Sequence, residues 1–298
     1  MVEFKGVYPA MVTPLNKDLE IDENGLRYEV DFLIDGHVHG LVALGSSGEF
    51  PYLTVDEKKR VIDIVVEQTN GRVPVIVGTS SMGTDEVIQL SRYARDRGAD
   101  GLMINLPTYF PLTDEDVFNH YQAISKAVDL PILLYDFPHV THLEMSPELI
   151  SKLSYIENVV GIKETGALEK VEQILRIEKQ EPFYVFTGIS FLFLEVLKIG
   201  GAGVICPIPC IAPGQVTSIY ESFREGDMEK ASQLQGDILP FVAIVAAPVQ
   251  SPVVKEAMRL VGLNIQSYVK SPLPQITEAQ KDTVRKSLVD LGMIESER

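Results

Sequence analysis

The sequence predicts a closed (β/α)8 barrel, the TIM barrel, followed by a C-terminal helical extension. Two patterns and one absence carry this. Short apolar runs rich in Val and Ile recur eight times, one roughly every 20–35 residues, the span of a strand–loop–helix repeat. Most runs are continuous rather than alternating, as in VPVIVG (73–78) and LPILLY (130–135). Strands buried on both faces have this composition, so the sheet is parallel and covered by helices. The first run ends in Val12-Thr13-Pro14-Leu15 without a G-x-G-x-x-G motif, which removes the main signal of the open, doubly wound alternative.

The strand candidates are residues 6–13, 40–44, 73–78, 101–105, 131–136, 159–164, 184–188 and 203–206. Between them, Thr54, Thr84, Thr113 and Ser146 precede amphipathic stretches with acids in the first turn. A hydroxyl at the N-cap and carboxylates near the positive end of the helix dipole both favour a helix start there. Gly200-Gly201-Ala202-Gly203 precedes the eighth strand, where a left-handed glycine closes the preceding helix. Beyond Glu225 no strand pattern follows, and residues 226–245, 251–260 and 276–292 read as helices. Residues 1–225 are therefore expected to form the barrel that carries the active site, and 226–298 to pack on it without a linker.

Charge and composition narrow the function. The 298 residues hold 26 Lys and Arg against 42 Asp and Glu, a net charge of −16. Phosphate backbones and anionic membranes both demand cations, so neither is an expected partner. A small anionic substrate stays open, because a pocket sets its own field. Two cysteines cannot make a disulfide scaffold in a chain of this length, and MVEFKGVYPA has no signal-peptide pattern. No apolar run approaches the ~18–20 residues of a membrane span. A reduced, cytoplasmic protein is expected.

In a barrel the active site lies at the C-terminal ends of the strands, where the strand-to-helix loops converge. Those ends carry Thr13, Gly45-Ser46-Ser47-Gly48-Glu49, Thr79, Asn105, Tyr135-Asp136, Lys163-Glu164, Thr187 and Cys206. Lys163 closes the apolar run Val159-Val160-Gly161-Ile162. An amine enclosed by apolar walls has its ammonium form disfavoured, and a neutral amine attacks ketones to form a Schiff base. The plain alternative is a strand-terminating lysine with its head in water. Tyr135, on the preceding strand, is placed to exchange protons beside it, or is a core tyrosine with a satisfied hydroxyl. The glycines and hydroxyls of 45–48 suit an anion nest for a carboxylate or phosphate, or form a plain turn. Glu49 can brace this loop from beneath.

Three further motifs point elsewhere. His37-Val38-His39 matches the H-x-H of metal-dependent barrel hydrolases but precedes the second strand, at the wrong end of the barrel. Cys206 and Cys210 follow the last strand and rim the pocket; a lone C-x3-C carries little metal or redox information. The glycines at 200–203 precede a strand rather than following one, so they do not form a phosphate loop.

Taken in order, these pieces resemble the dihydrodipicolinate synthase / N-acetylneuraminate lyase family, the class I pyruvate-dependent aldolases. The resemblance rests on Ala10-Met11-Val12-Thr13-Pro14, Gly45-Ser46-Ser47-Gly48-Glu49, Pro107-Thr108-Tyr109, Tyr135-Asp136-Phe137-Pro138 and Gly161-Ile162-Lys163-Glu164-Thr165, and runs over nearly the whole chain. It implies that Lys163 forms the Schiff base with pyruvate or another 2-oxo acid and that Tyr135 shuttles protons. Ser46 would link Tyr135 to Tyr109, which reaches in from a neighbouring subunit of a homotetramer built from close dimers. Ser47, with the N–H groups of its loop, including that of Gly48, would hold the pyruvate carboxylate. Ile205 would contribute a backbone carbonyl. The resemblance implies no metal and no organic cofactor.

The chain departs from the family pattern at telling places. Asp136 stands where Asn is frequent, and Thr108 where Tyr is usual. Val140 occupies the position at which dihydrodipicolinate synthases carry an Arg for the carboxylate of the aldehyde. Valine cannot make that contact. Gly188 is followed by Ile189-Ser190 rather than the acids that bind sugar hydroxyls in sialic acid lyases. The acceptor pocket is then shaped by His139, Val140, Thr141, His142, Ile189, Ser190, Pro207 and Ile208. The expectation is a lyase whose aldehyde lacks that carboxylate, of 2-keto-3-deoxygluconate type or with a hydrophobic aldehyde. The competing readings are a 4-hydroxy-tetrahydrodipicolinate synthase using aspartate semialdehyde through another cation, and a non-catalytic 2-oxo-acid-binding paralogue.

Overall fold

The β-branched runs condense into strands because each is apolar on both faces and finds a parallel neighbour and a covering helix. The computed structural model describes residues 3–247 and 249–296. Among them eight strands form one parallel sheet: β1 (Gly6–Pro9), β2 (Leu41–Ala43), β3 (Val75–Gly78), β4 (Gly101–Asn105), β5 (Ile132–Asp136), β6 (Val159–Glu164), β7 (Tyr184–Thr187) and β8 (Gly203–Cys206). Their order is β1-β8-β7-β6-β5-β4-β3-β2. The ring closes where the Met11 N–H donates to Val42 O at 3.0 Å and the His39 N–H to Val7 O at 2.9 Å. The predicted (β/α)8 barrel and its C-terminal helices are the observed architecture.

β1 stops at Pro9, short of the predicted residue 13. The physical reason is a change of partner: the Val12 N–H donates to the Glu29 carboxyl at 3.0 Å instead of to a neighbouring strand. Thr54 and Thr113 each close a capping box, with Glu57 and Asp116 reaching back to their backbone N–H groups. Such caps each contribute about 1 kcal/mol. Ser146 caps the helix Pro147–Ser154 through the Leu149 N–H. Thr84, in contrast, is not an N-cap. Gly83 takes that position, and the Thr84 hydroxyl lies 2.9 Å from His120 Nδ1. Gly200 adopts the expected left-handed conformation, φ 99°, after the helix Phe193–Lys198.

Alternation along each strand sorts side chains between two cores. Leu133 and Tyr135 of β5 point into the barrel with Tyr8, Val42, Ile76, Met103, Phe186 and Ile205, filling it as a packed core. Ile132 and Leu134 point outward against the helices. The helices Met228–Asp237, Leu239–Val245, Ser251–Leu260 and Glu278–Asp290 make up the C-terminal extension. Phe241, Val254 and Met258 from it share one apolar cluster with Val7, Val204 and Cys206 of β1 and β8. No helix among the described residues is long and apolar enough to cross a membrane.

Candidate active site

Parallel pairing of β5 with β6 sets Tyr135 opposite Lys163 and Asp136 opposite Glu164. The first pair faces the barrel mouth. Lys163 is only 5 % exposed, and its Nζ lies 4.2 Å from the centroid of the Tyr135 ring. Tyr135 stacks on Phe137, with centroids 5.9 Å apart, and its hydroxyl is 3.2 Å from Ser46 Oγ. The amine, the phenol and the serine hydroxyl thus form one contiguous set.

Two cavities meet at this set. The smaller, about 170 Å³, is lined by Lys163, Tyr135, Ser46, Ser47, Ile189 and Ile205, together with Ser190, Pro207 and Ile208. The larger, about 490 Å³, shares Ser46, Ser47 and Tyr135 and extends to Thr108, Val140, Thr141, Lys58 and Glu86. Ser46 and Tyr135 stand on the boundary between the two lobes.

The remaining site candidates are distributed unevenly. Val140 is 57 % exposed on the wall of the larger lobe. The Thr141 hydroxyl closes its own turn, 2.9 Å from both Phe137 O and Leu143 O. Gly48 is set back from both lobes. Its N–H donates to Gly45 O at 3.0 Å, so this amide is unavailable to an anion, and a Cβ there would sit 3.2 Å from Met11 O. Tyr109 is 79 % exposed, packs edge-on against Phe110, and lines neither lobe of its own chain. His139 and His142 are exposed and line neither lobe.

His39 accepts from the Val7 N–H at 3.2 Å and lies 3.0 Å from Glu221. Cys206 and Cys210 are buried and unpaired; burial pushes the Cys206 thiol up to about 12 and the Cys210 thiol higher than the usual thiol range. Among the described residues no group of three or more His, Cys, Asp and Glu side chains is arranged to hold a metal ion.

Asp136 and Glu164, one residue beyond the inward pair, point outward. Lys170 Nζ lies 2.8 Å from Asp136 Oδ2, 2.6 Å from Glu144 Oε1 and 3.7 Å from Glu164 Oε2. Burial pushes both buried acids up, Glu164 to about 7. Asp136 is therefore matched by a lysine behind the strand. Sequence reasoning missed Lys170, Lys58 and Lys255. Lys255 left a signal, a lone cation inside the apolar helical run SPVVKEAM. Lys58 sits on the wall of the larger lobe, where burial holds its ammonium below the usual lysine range.

Comparison with known proteins fixes the family. The model of the dihydrodipicolinate synthetase family matches residues 3–291. The chain belongs to that family. Among curated relatives, 4-hydroxy-tetrahydrodipicolinate synthase of Methanopyrus kandleri is 37% identical, covering 98% of each chain. The enzyme of the same name from Methanococcoides burtonii is also 37% identical, over 98% of this chain and 100% of that one. Among solved structures, YagE, a prophage protein of E. coli K12 in complex with pyruvate, superposes with a TM-score of 0.94 at 28% identity, covering 98% of this chain and 100% of that one. A dihydrodipicolinate synthase (dapA) gives 0.91 at 34%, with the same coverage. Membership sets the enzyme class: the protein is a Schiff-base, pyruvate-dependent lyase.

Proposed function

We propose that the protein joins pyruvate to, or releases it from, an aldehyde with no carboxylate where Val140 lines the cavity, as a 2-keto-3-deoxygluconate-type aldolase. The contiguous Lys163–Tyr135–Ser46 set at the mouth of the smaller lobe carries this reading. The Lys163 amine, in its neutral form, attacks C2 of pyruvate, and the oxygen leaves as water to give an iminium. Loss of a C3 proton gives the enamine. Its C3 attacks the aldehyde carbon, and the aldehyde oxygen takes a proton from the Tyr135 phenol. Water then hydrolyses the iminium, freeing the product and the amine. The reverse sequence cleaves the same bond.

Ser47 suits the pyruvate carboxylate, since it lines both lobes. Ile205 of β8 lines the smaller lobe, and the reading gives its backbone carbonyl a place in the site. Ser46 relays protons from Tyr135 to Tyr109 of a neighbouring subunit. The exposure of Tyr109 and Phe110, at 79 % and 69 %, supports a subunit contact there and with it a homotetramer of close dimers. The reading includes a cytoplasmic setting, as the low cysteine count suggests.

The second reading is 4-hydroxy-tetrahydrodipicolinate synthase. Two observations favour it: the names of the relatives at 37% identity, and Lys58, a cation on the wall of the larger lobe. An aldehyde panel with pyruvate, assayed by pyruvate loss and product mass, separates the two. The proposal expects glyceraldehyde or apolar aldehydes to outpace aspartate semialdehyde, and Val140→Arg to move the preference toward the semialdehyde. A strong wild-type preference for the semialdehyde rejects it. Lys163→Ala should lose both turnover and pyruvate–borohydride labelling; labelling that survives the substitution rejects the Schiff-base assignment.

A further inference from the structure

The loop that carries Ser46 and Ser47 is bracketed by two non-glycine residues in the left-handed region, Leu44 at φ 58° and Glu49 at φ 60°. Each costs on the order of 1–2 kcal/mol relative to ordinary backbone. Leu44 is pressed against β3: a Cβ on Gly78 would meet Leu44 O at 2.1 Å. Glycine would hold the left-handed conformation at position 49 with less strain, yet an acid occupies it.

That acid is fully enclosed and fully engaged. The Glu49 side chain has no exposure, and neither does that of Lys255. Lys255 Nζ donates to Glu49 Oε1 at 2.5 Å, and the Lys270 backbone N–H donates to Glu49 Oε2 at 2.7 Å. Lys255 also donates to Tyr268 O at 2.7 Å. From the other side, the Thr13 hydroxyl donates to Gly48 O at 2.7 Å. Ser46 and Ser47 are thus held between the end of β1 and the C-terminal extension. A buried ion pair is a poor way to add stability, because an apolar pair of similar volume serves as well or better. A directional bond from a fixed cation to a strained loop is, however, a good way to fix geometry.

We propose that Lys255, acting through Glu49, is a positioning residue for the Ser46–Ser47 loop, so that the C-terminal extension sets the geometry in which pyruvate's carboxylate is held. This rests on the carboxylate role given to Ser47 above. Lys255 touches no reacting atom; it acts by keeping the loop in its strained form.

The test uses the full chain with Glu49→Gln, Lys255→Met and the double variant. Pyruvate KM, kcat, melting temperature and pyruvate–borohydride labelling at Lys163 are measured for each. The proposal expects pyruvate KM to rise about 10- to 100-fold in each single variant, the scale expected of a site displaced by about 1 Å. Labelling should still go to completion at saturating pyruvate. In the double variant the melting temperature should recover toward wild type, since no lone buried charge remains, while KM stays raised. A purely structural brace would instead lower the melting temperature and leave pyruvate KM unchanged; that result in folded Glu49→Gln overturns the proposal. Should Lys255→Met fail to fold, the isosteric Glu49→Gln decides by the same KM criterion. Wild-type protein that pyruvate and borohydride do not label rejects the Ser47 reading and this inference with it, whereas normal wild-type labelling with an unmoved KM in the variants rejects the inference alone.

Discussion

Glu29→Gln should relieve the protein of a loss of stability that grows with pH. Glu29 lies in the helix Glu23–Asp35 with no exposure; Oε1 accepts the Val12 N–H at 3.0 Å, and Oε2 has no hydrogen-bond partner. Burial pushes its carboxyl up from 4.5 to about 8. Below pH 4.5 the folded and unfolded chains both keep the proton, and folding is unaffected. Between that value and about 8 only the unfolded chain releases it, so stability falls by about 1.4 kcal/mol per pH unit, roughly 5 kcal/mol over the whole interval. From pH 5 to pH 8 the loss is about 3–4 kcal/mol. Glutamine keeps the bond to Val12 and does not titrate. Other acids raised by burial, such as Glu164, contribute equally to both proteins and cancel in the comparison. Calorimetry at fixed protein concentration and at pH 5, 6.5 and 8 is the assay. At a little under ~2 °C per kcal/mol for a chain of this length, the variant's melting temperature should gain about 6 °C on wild type across this range. Parallel curves for the two proteins would show that Glu29 is not held protonated, and would refute the reasoning.

Two further outcomes follow from the site. Tyr135→Phe removes the hydroxyl 3.2 Å from Ser46 but keeps the ring beside Lys163, so kcat should drop about 10²–10⁴-fold while Lys163 still accepts pyruvate in borohydride labelling; kcat within about threefold of wild type would remove the proton-shuttle role. Cys206 and Cys210, whose thiols burial holds far from ionisation, should resist iodoacetamide at pH 8 in the native protein and react once it is unfolded, as read by intact mass. Native labelling as fast as unfolded labelling would contradict the burial argument.

Much of the barrel was legible because its signals are local. A strand buried on both faces needs an apolar residue at nearly every position, and a helix start needs a hydroxyl and acids within one turn. Thr54, Thr113 and Ser146 obey that rule; Thr84 does not, because His120 meets its hydroxyl from another helix. Hydrogen-bond accounting within the 45–49 loop lay beyond composition as well. Glycine at 48 predicts a tight turn, but not that the turn uses up the Gly48 N–H.

By itself, the order of residues determined the succession of eight strands and the placing of Tyr135 and Lys163 near the ends of consecutive strands. Parallel neighbours in a barrel bring such residues side by side whatever the loops do. Only the tertiary structure decided that Lys255 grips Glu49 from 206 positions away, that Lys170 sits behind Asp136, and that Tyr109 stands out in solvent in its own chain. Those contacts join segments with no shared periodicity. Their geometry is set by how the C-terminal helices and the strand-end loops fold back onto the barrel, and sequence spacing does not encode that.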